Sequence, residues 1–326
     1  MADHPPLLLL HGISSREEVF WRPRRQCLGG FLAPAFRVLT GRLRRGRGSA
    51  GVWPERLGGT TRDGTIRGGA AGGSAARDVG AVAPDGCGLP PDPVRCPPGE
   101  WDFDPYLTED LPIIWAEACA VAGRPPIVLG YSLGGMLALL AQARGLIAAP
   151  ALVLVATPLL FPAIPFYPPL MRRVYAVARR LGWPRIPTRF LGRLLIWVFA
   201  GGRPSRLGPE LRLFHAQIRA AGVDVPPALL GQAAAWVETG RWSDRTGRHD
   251  YFDELAGVTV PTLFIAGGRD RIAPPAVVQR GYAAVAASHR AYVVIPDGTH
   301  LTLANGPLAG GVAAAVTRWV AQMGMA

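Results

Sequence analysis

The sequence contains no lysine, so all 35 basic residues are arginine, and with 23 acidic residues they give a formal net charge of +12. A net charge of this size would ordinarily suggest a nucleic acid or an anionic membrane surface as partner, but its distribution argues otherwise. Residues 22–95 instead hold 13 arginines and five acidic residues, so this stretch carries +8 and the rest of the chain only +4. We interpret the bias as the signature of GC-rich coding sequence, and we expect no nucleic-acid partner.

Cysteine is also scarce, with four residues in 326, and none of them shows the Cys-x-x-Cys spacing of metal sites. The longest uncharged stretch, residues 146–171, has the length of a membrane span but contains prolines that would break a helix. No secretory signal pattern is visible at the N-terminus. We therefore expect a cytoplasmic protein with no membrane span, no metal and no organic cofactor.

Apolar sequence is plentiful, at 49% of residues, which is enough for one large domain with an elaboration. Leu107, Leu111, Ile114 and Ala118 recur at helical spacing, and Asp104 is a candidate cap for that helix. Strands are predicted by short apolar runs at residues 7–10, 36–40, 126–129, 151–157, 261–266 and 290–296. Such alternation predicts an α/β fold, a mostly parallel sheet with helices on both faces.

One strand ends in a motif that carries chemistry. Residues 126–129 run into Gly130-Tyr131-Ser132-Leu133-Gly134, and an apolar helix follows. A Gly-x-Ser-x-Gly motif between a strand and a helix is typical of a nucleophile on a sharp, strained turn, where side chains at the glycines would collide with neighbouring backbone. The alternative is a glycine-rich turn with an incidental serine. Ser132 is therefore the first candidate for a catalytic nucleophile.

Other polar residues follow predicted strands in the same way. His11 and Gly12 come after residues 7–10, Asp270 follows the strand at 261–266, and His300 follows the last strand. Open α/β sheets carry their functional side chains at the carboxyl ends of the strands. We give His11 a structural role only.

These motifs resemble the α/β-hydrolase family, in its serine esterase and lipase-like branch with a helical cap. The order serine, acid, histidine along the chain is the order that this fold uses. The resemblance implies a catalytic triad of Ser132, Asp270 and His300. It also implies an oxyanion hole formed by the backbone N–H groups of Ile13 and Leu133.

A second acid lies near the candidate histidine. Asp297 is three residues before His300 on the same loop, which is a poor position from which to hold an imidazole from behind. We therefore prefer Asp270 as the partner of His300.

The chain departs from the family in two places. Few residues precede the strand at residues 7–10, where family members usually have a β-hairpin. Residues 41–98 are rich in Gly, Arg, Ala and Pro and show neither helical nor strand periodicity. A disordered insertion, an Arg-Gly segment that binds nucleic acid, and translation out of frame all fit this composition, and we favour the last.

The resemblance also predicts the domain organisation. Residues 1–157 and 256–326 would form the hydrolase core, and residues 158–255 a helical cap. We expect the cap to form an apolar substrate pocket or to pack its aromatic rings on the core; these rings are Phe161, Phe166, Tyr167, Trp183, Phe190, Trp197, Phe199 and Phe214. His215 and His249 are interpreted as structural or exposed.

The sequence thus predicts a serine hydrolase that cleaves carboxylic esters of small to medium apolar acyl groups through an acyl-enzyme. Acyl transfer to an alcohol, carbon–carbon bond hydrolysis and haloperoxidase chemistry use the same triad and stay open. A non-catalytic binding protein of the same fold is the rival from another class. The expected partner is a small-molecule ester, and the oligomeric state is left open.

Overall fold

The computed structural model describes residues 4–13, 17–21, 26–43, 50–54, 101–160, 167–187, 222 and 224–325. These residues contain a seven-stranded sheet. Its strands are β1 (Pro6–Leu10), β2 (Arg37–Arg42), β3 (Gly51–Pro54), β4 (Ile127–Tyr131), β5 (Leu152–Val155), β6 (Thr262–Gly267) and β7 (Arg290–Ile295). In space they are ordered β3-β2-β1-β4-β5-β6-β7, and every pair except β2–β3 is parallel. The predicted α/β-hydrolase architecture is confirmed.

The central strands are almost entirely apolar because helices cover both faces of a parallel sheet. β1, β4, β5 and β6 are buried along their whole length. In the register between β1 and β4, Leu10 lies opposite Gly130. The residues two positions further on, Gly12 and Ser132, therefore leave the sheet side by side.

The prediction that residues 41–98 lack strand periodicity is wrong at two places. β2 continues to Arg42, and residues Gly51–Pro54 form β3. The two strands pair antiparallel, with Leu39 opposite Pro54 at one end and Arg42 opposite Gly51 at the other. Four residues are too few to display an alternating pattern of side chains. This strand is therefore recognised by its backbone pairing with β2. The prediction for residues 44–49 and 55–98 lies outside the described residues.

The helices are α1 (Leu28–Leu32), α2 (Phe103–Pro105), α3 (Leu111–Ala122), α4 (Leu133–Ala143), α5 (Tyr167–Arg180), α6 (Pro227–Thr239), α7 (Pro275–Ala284) and α8 (Ala309–Gln322). Short 3₁₀ turns cover Glu17–Phe20 and Tyr251–Gly257, and a π-helical turn at Tyr106–Asp110 joins α2 to α3. Among the described residues, no helix is long and apolar enough to cross a membrane.

The helix before β4 begins earlier than its sequence predicts. Asp102, and not Asp104, is the N-cap: its Oδ1 accepts a hydrogen bond from the backbone N–H of Asp104 at 3.1 Å. Pro105 is tolerated because it lies in the first turn after the Asp102 cap, where backbone N–H groups have no acceptor within the helix. Pro112 is the second residue of α3 and directly follows the junction with the π-helical turn. The predicted apolar face is confirmed, since Leu107, Leu111, Ile114 and Ala118 are all buried.

Parts of the predicted cap are described. α5 packs against α6, and the ring of Tyr175 meets the backbone at Gly231. α6 meets the core at α2, where the Gln232 side chain accepts a hydrogen bond from the Phe103 N–H at 2.8 Å and donates one to the Ser243 carbonyl at 3.2 Å. The extent of the cap stays a prediction. Most of its aromatic side chains lie outside the residues whose side chains are described, namely Phe161, Phe166, Tyr167, Phe190, Trp197, Phe199 and Phe214; so does His215.

Candidate active site

Ser132 lies on a strained turn between β4 and α4. Its backbone has φ 55° and ψ −119°, and residues other than glycine rarely adopt such a positive φ. A Cβ atom on Gly130 would overlap the backbone of Gly135, and one on Gly134 would overlap the carbonyl oxygen of Leu10. The two motif glycines therefore let α4 pack directly on the ends of β1 and β4. Ser132 lies at the carboxyl end of β4, where the strand leaves the sheet.

The end of β1 passes next to this serine. A Cβ atom on Gly12 would lie 3.1 Å from the Cβ of Ser132, so only glycine fits comfortably here. Ile13 follows directly, and its side chain is exposed. On the other side, Leu133 begins α4, and the first four N–H groups of a helix have no acceptor within it. The segments that carry both predicted oxyanion-hole residues thus flank Ser132.

Asp270 is held rigidly beyond the end of β6. Its Oδ1 accepts hydrogen bonds from the backbone N–H groups of Ile272 and Ala273, both at 2.8 Å. Its own N–H donates to the Gly267 carbonyl at 3.1 Å. One carboxylate oxygen is therefore committed to the turn, and Oδ2 is left for another donor.

The loop after β7 is tied to the loop that carries Asp270. The backbone N–H of Arg269 donates to the carbonyl oxygen of Gly298 at 2.8 Å. Thr299 and Thr302 bracket His300: the Thr299 N–H donates to the Thr302 hydroxyl at 2.8 Å. These hydrogen bonds fix the backbone of the His300 loop relative to the loop of Asp270, in addition to any contact between the two side chains.

The structure brings the side chains of Ser132, Asp270 and His300 together. His300 Nδ1 lies 2.8 Å from Asp270 Oδ2, and His300 Nε2 lies 3.0 Å from Ser132 Oγ. A carboxylate only accepts hydrogen bonds, so Nδ1 carries the proton and donates, while Nε2 accepts from the serine hydroxyl. All three residues are buried. This geometry suits removal of a proton from Ser132.

Tyr131 is a site residue that the sequence did not single out. Its hydroxyl donates to the backbone carbonyl of His300 at 2.8 Å, and its ring centroid lies 5.3 Å from that of His300. Burial, and secondarily the nearby charge of Asp270, raises the pKa of the Tyr131 hydroxyl well above its ordinary value of 10. The tyrosine thus stays protonated and remains a hydrogen-bond donor.

The remaining polar candidates lie outside this constellation. Asp297 pairs with Arg269 at 2.9 Å, and both side chains are exposed, so it is not the partner of His300. His11 is buried, and its Nδ1 donates to the Gly12 carbonyl at 3.0 Å. His249 is a surface residue 2.5 Å from Glu254. Within the described part of the chain, no three His, Cys, Asp or Glu side chains cluster as metal ligands.

A family model for the alpha/beta hydrolase fold matches residues 120–307, which is more than half of the chain. The chain belongs to the α/β-hydrolase family. The match includes Ser132, Asp270 and His300. No curated protein matches the chain significantly.

Solved structures of other α/β-hydrolases resemble this one. An esterase from Thermogutta terrifontis aligns with TM-score 0.58 and 21% identity, covering 98% of this chain and 90% of the other. A monoacylglycerol lipase from Paleococcus ferrophilus gives 0.57 and 12% identity, covering 98% and 96%. A hydrolase from Pseudomonas aeruginosa PA01 gives 0.56 and 19%, covering 98% and 91%. At these identities the likeness concerns the fold.

Proposed function

We propose that this α/β-hydrolase is a serine esterase that cleaves carboxylic esters of small to medium apolar acyl groups. The observation that carries the proposal is the hydrogen-bonded chain from Asp270 through His300 to Ser132, with distances of 2.8 and 3.0 Å. An esterase and a lipase among the structural relatives agree with this reaction class.

In the proposed mechanism, His300 Nε2 takes the proton of Ser132 as Oγ attacks the ester carbonyl. Asp270 keeps the imidazole in the required tautomer and stabilises the imidazolium that forms. The tetrahedral oxyanion is held by the N–H groups of Ile13 and Leu133, each worth about 3 kcal/mol. His300 then protonates the departing alcohol, and a water molecule activated by His300 hydrolyses the acyl-enzyme.

The electrostatics around Ser132 favour an anionic intermediate. Ser132 lies at the N-terminus of α4, an 11-residue helix whose dipole places positive potential there. The preference for an apolar acyl group rests on two exposed side chains near the triad. Ile13, 36% exposed, follows Gly12, and Ile272, 51% exposed, follows the turn that holds Asp270.

The test is hydrolysis of p-nitrophenyl esters from acetate to decanoate by the wild type and by Ser132→Ala. We expect turnover with an optimum of chain length, and its loss in the variant. A fluorophosphonate probe provides the second measurement, and it should label the wild type but not Ser132→Ala. Equal labelling of the two folded proteins would refute the assignment of Ser132 and favour a non-catalytic binding protein.

A further inference from the structure

One surface outside the active site combines exposed apolar side chains with arginines. It lies on the outer side of α5 and on the turn that follows, and it consists of Arg173, Val177, Arg180, Leu181 and Trp183; we refer to it as the α5 face. Val177 is 50% exposed, Leu181 58% and Trp183 40%. Contiguous exposed apolar patches are uncommon on soluble proteins and often mark interaction sites.

The α5 face is opposite to the side by which the helix is attached. Ala178 is buried, and Tyr175 packs against α6 at Gly231. Residues spaced three or four apart lie on the same side of a helix. Arg173, Val177 and Leu181 are four apart, and Arg180 is three after Val177. These four residues therefore form a continuous strip that faces away from α6.

The arginines of this surface are not neutralised within the described residues. Arg172, at its margin, pairs with Glu238 of α6. In the part of the chain that the structure describes, no acidic side chain forms an ion pair with Arg173, Arg179, Arg180 or Arg185. As far as the described residues go, the strip therefore presents apolar groups among positive charges that no acidic side chain pairs with.

This combination restricts the occupant. A second copy of the chain bound face to face would bring the same arginines together, and like charges would oppose it. A nucleic acid would attract the arginines but leave Val177 and Leu181 without a role. An anionic lipid surface accounts for the arginines and for the apolar side chains. Its headgroups attract arginine, and the zone between headgroups and acyl chains accepts apolar side chains, tryptophan above all.

We propose that the α5 face binds reversibly to anionic lipid membranes, in the plane of the interface and without spanning the bilayer. This proposal is independent of the esterase activity, because it uses none of the residues around Ser132.

The test is sedimentation of the full chain with phosphatidylcholine vesicles, with and without about one third phosphatidylglycerol. We expect binding only to the anionic vesicles, and a loss of about tenfold or more when salt is raised from roughly 50 to 200 mM, since screening weakens arginine attraction. Equal binding to both kinds of vesicle, or binding to neither, would overturn the proposal.

Variants separate the two contributions. Arg173→Glu with Arg180→Glu should abolish binding at either salt, and Val177→Ser with Leu181→Ser should weaken it about tenfold. Arg318→Glu, on the exposed side of α8, is the matched control and should bind nearly as wild type. If the α5 variants bind as wild type while thermal unfolding shows all of them to be folded, the assignment of membrane binding to the α5 face is wrong. A dimer in solution that Leu181→Ser disrupts, without vesicle binding, would assign the surface to a second copy instead.

Discussion

The hydroxyl of Tyr131 donates a hydrogen bond to the backbone carbonyl of His300, with an O–O distance of 2.8 Å. Tyr131 is the last residue of β4 and directly precedes Ser132. One side chain thus connects the backbone of the proposed nucleophile to the backbone of the proposed base. Since proton transfer depends on a hydrogen bond of about 3 Å between them, we infer that Tyr131 is a positioning residue.

Tyr131→Phe removes this hydrogen bond and little volume. We expect kcat for ester hydrolysis to fall roughly tenfold with KM nearly unchanged, because the base is positioned less well while substrate contacts remain. The unpaired buried carbonyl should also lower the free energy of unfolding by about 1–3 kcal/mol. Steady-state kinetics and urea unfolding measure the two effects.

The matched control is Tyr292→Phe. Tyr292 donates to the carbonyl of Pro275 at 2.9 Å, so the variant loses the same type of hydrogen bond away from the triad. It should lose stability and keep kcat. If both variants lose kcat equally, the effect of Tyr131 is general destabilisation and not positioning.

Asp270→Asn should lower kcat by several orders of magnitude, on the order of 10⁴. Oδ1 already accepts two backbone N–H groups, so the asparagine carbonyl will keep that position and its amide NH₂ will face His300. An NH₂ group can only donate, which forces the proton onto Nε2 and leaves no acceptor for the Ser132 hydroxyl.

Asp297→Asn controls for this change. It removes a carboxylate on the neighbouring loop whose only described ion pair, with Arg269, is exposed at both ends. Exposed pairs of this kind contribute little, so we expect activity within a factor of about two of wild type. A comparable loss in both variants would mean that net charge near the site matters and that Asp270 has no special role.

The proximity of Ser132, Asp270 and His300 could be predicted because each residue follows a strand whose apolar run is easy to recognise. Parallel strands bring their carboxyl ends together, so Ser132, Asp270 and His300 could be associated although up to 168 positions separate them. The glycines at positions 130 and 134 carried the signal for the strained turn, since only close approach of backbone requires them.

Other features could not be read in this way. Tyr131 occupies the variable position of the Gly-x-Ser-x-Gly motif, and its bond to His300 depends on a loop distant in sequence. β3 is defined by pairing to β2 and not by its own composition. The sequence indicated Asp104 as the helix cap, whereas Asp102 is the cap in the structure. Asp102 also accepts a hydrogen bond from Arg245 at 2.6 Å, a contact with a residue distant in sequence that local pattern does not reveal.

Gly134→Ala should prevent formation of the native elbow. The new Cβ would overlap the carbonyl oxygen of Leu10, which belongs to the central strand β1 and cannot move without disturbing the sheet. We expect a loss of more than about 3 kcal/mol in stability, or no folded protein. Gly311→Ala, in α8 with open space around its Cβ, should be neutral or stabilising by up to about 1 kcal/mol. Two stable, folded variants would contradict the requirement for glycine at position 134.

The ion pair between Arg144 and Glu254 should make stability depend on pH. Arg144 donates two hydrogen bonds of 2.8 Å to Glu254, and these hold the pKa of that carboxyl below its ordinary value of 4.5. Below about pH 4.5 the unfolded chain therefore binds more protons at this residue than the folded one. Its stabilisation is complete above that pH and is lost as pH falls through the folded-state pKa.

Glu254→Gln tests this linkage. At pH 7 we expect the variant to be less stable by about 1 kcal/mol, and we expect the difference from wild type to shrink as the pH falls below 4.5, because protonation of the wild-type carboxyl removes its charge. Urea unfolding at several pH values measures the difference. An equal loss at all of these pH values would mean that Glu254 stabilises the fold through packing and neutral hydrogen bonds, and that its charge contributes nothing to the contact between α4 and the turn at Tyr251–Gly257.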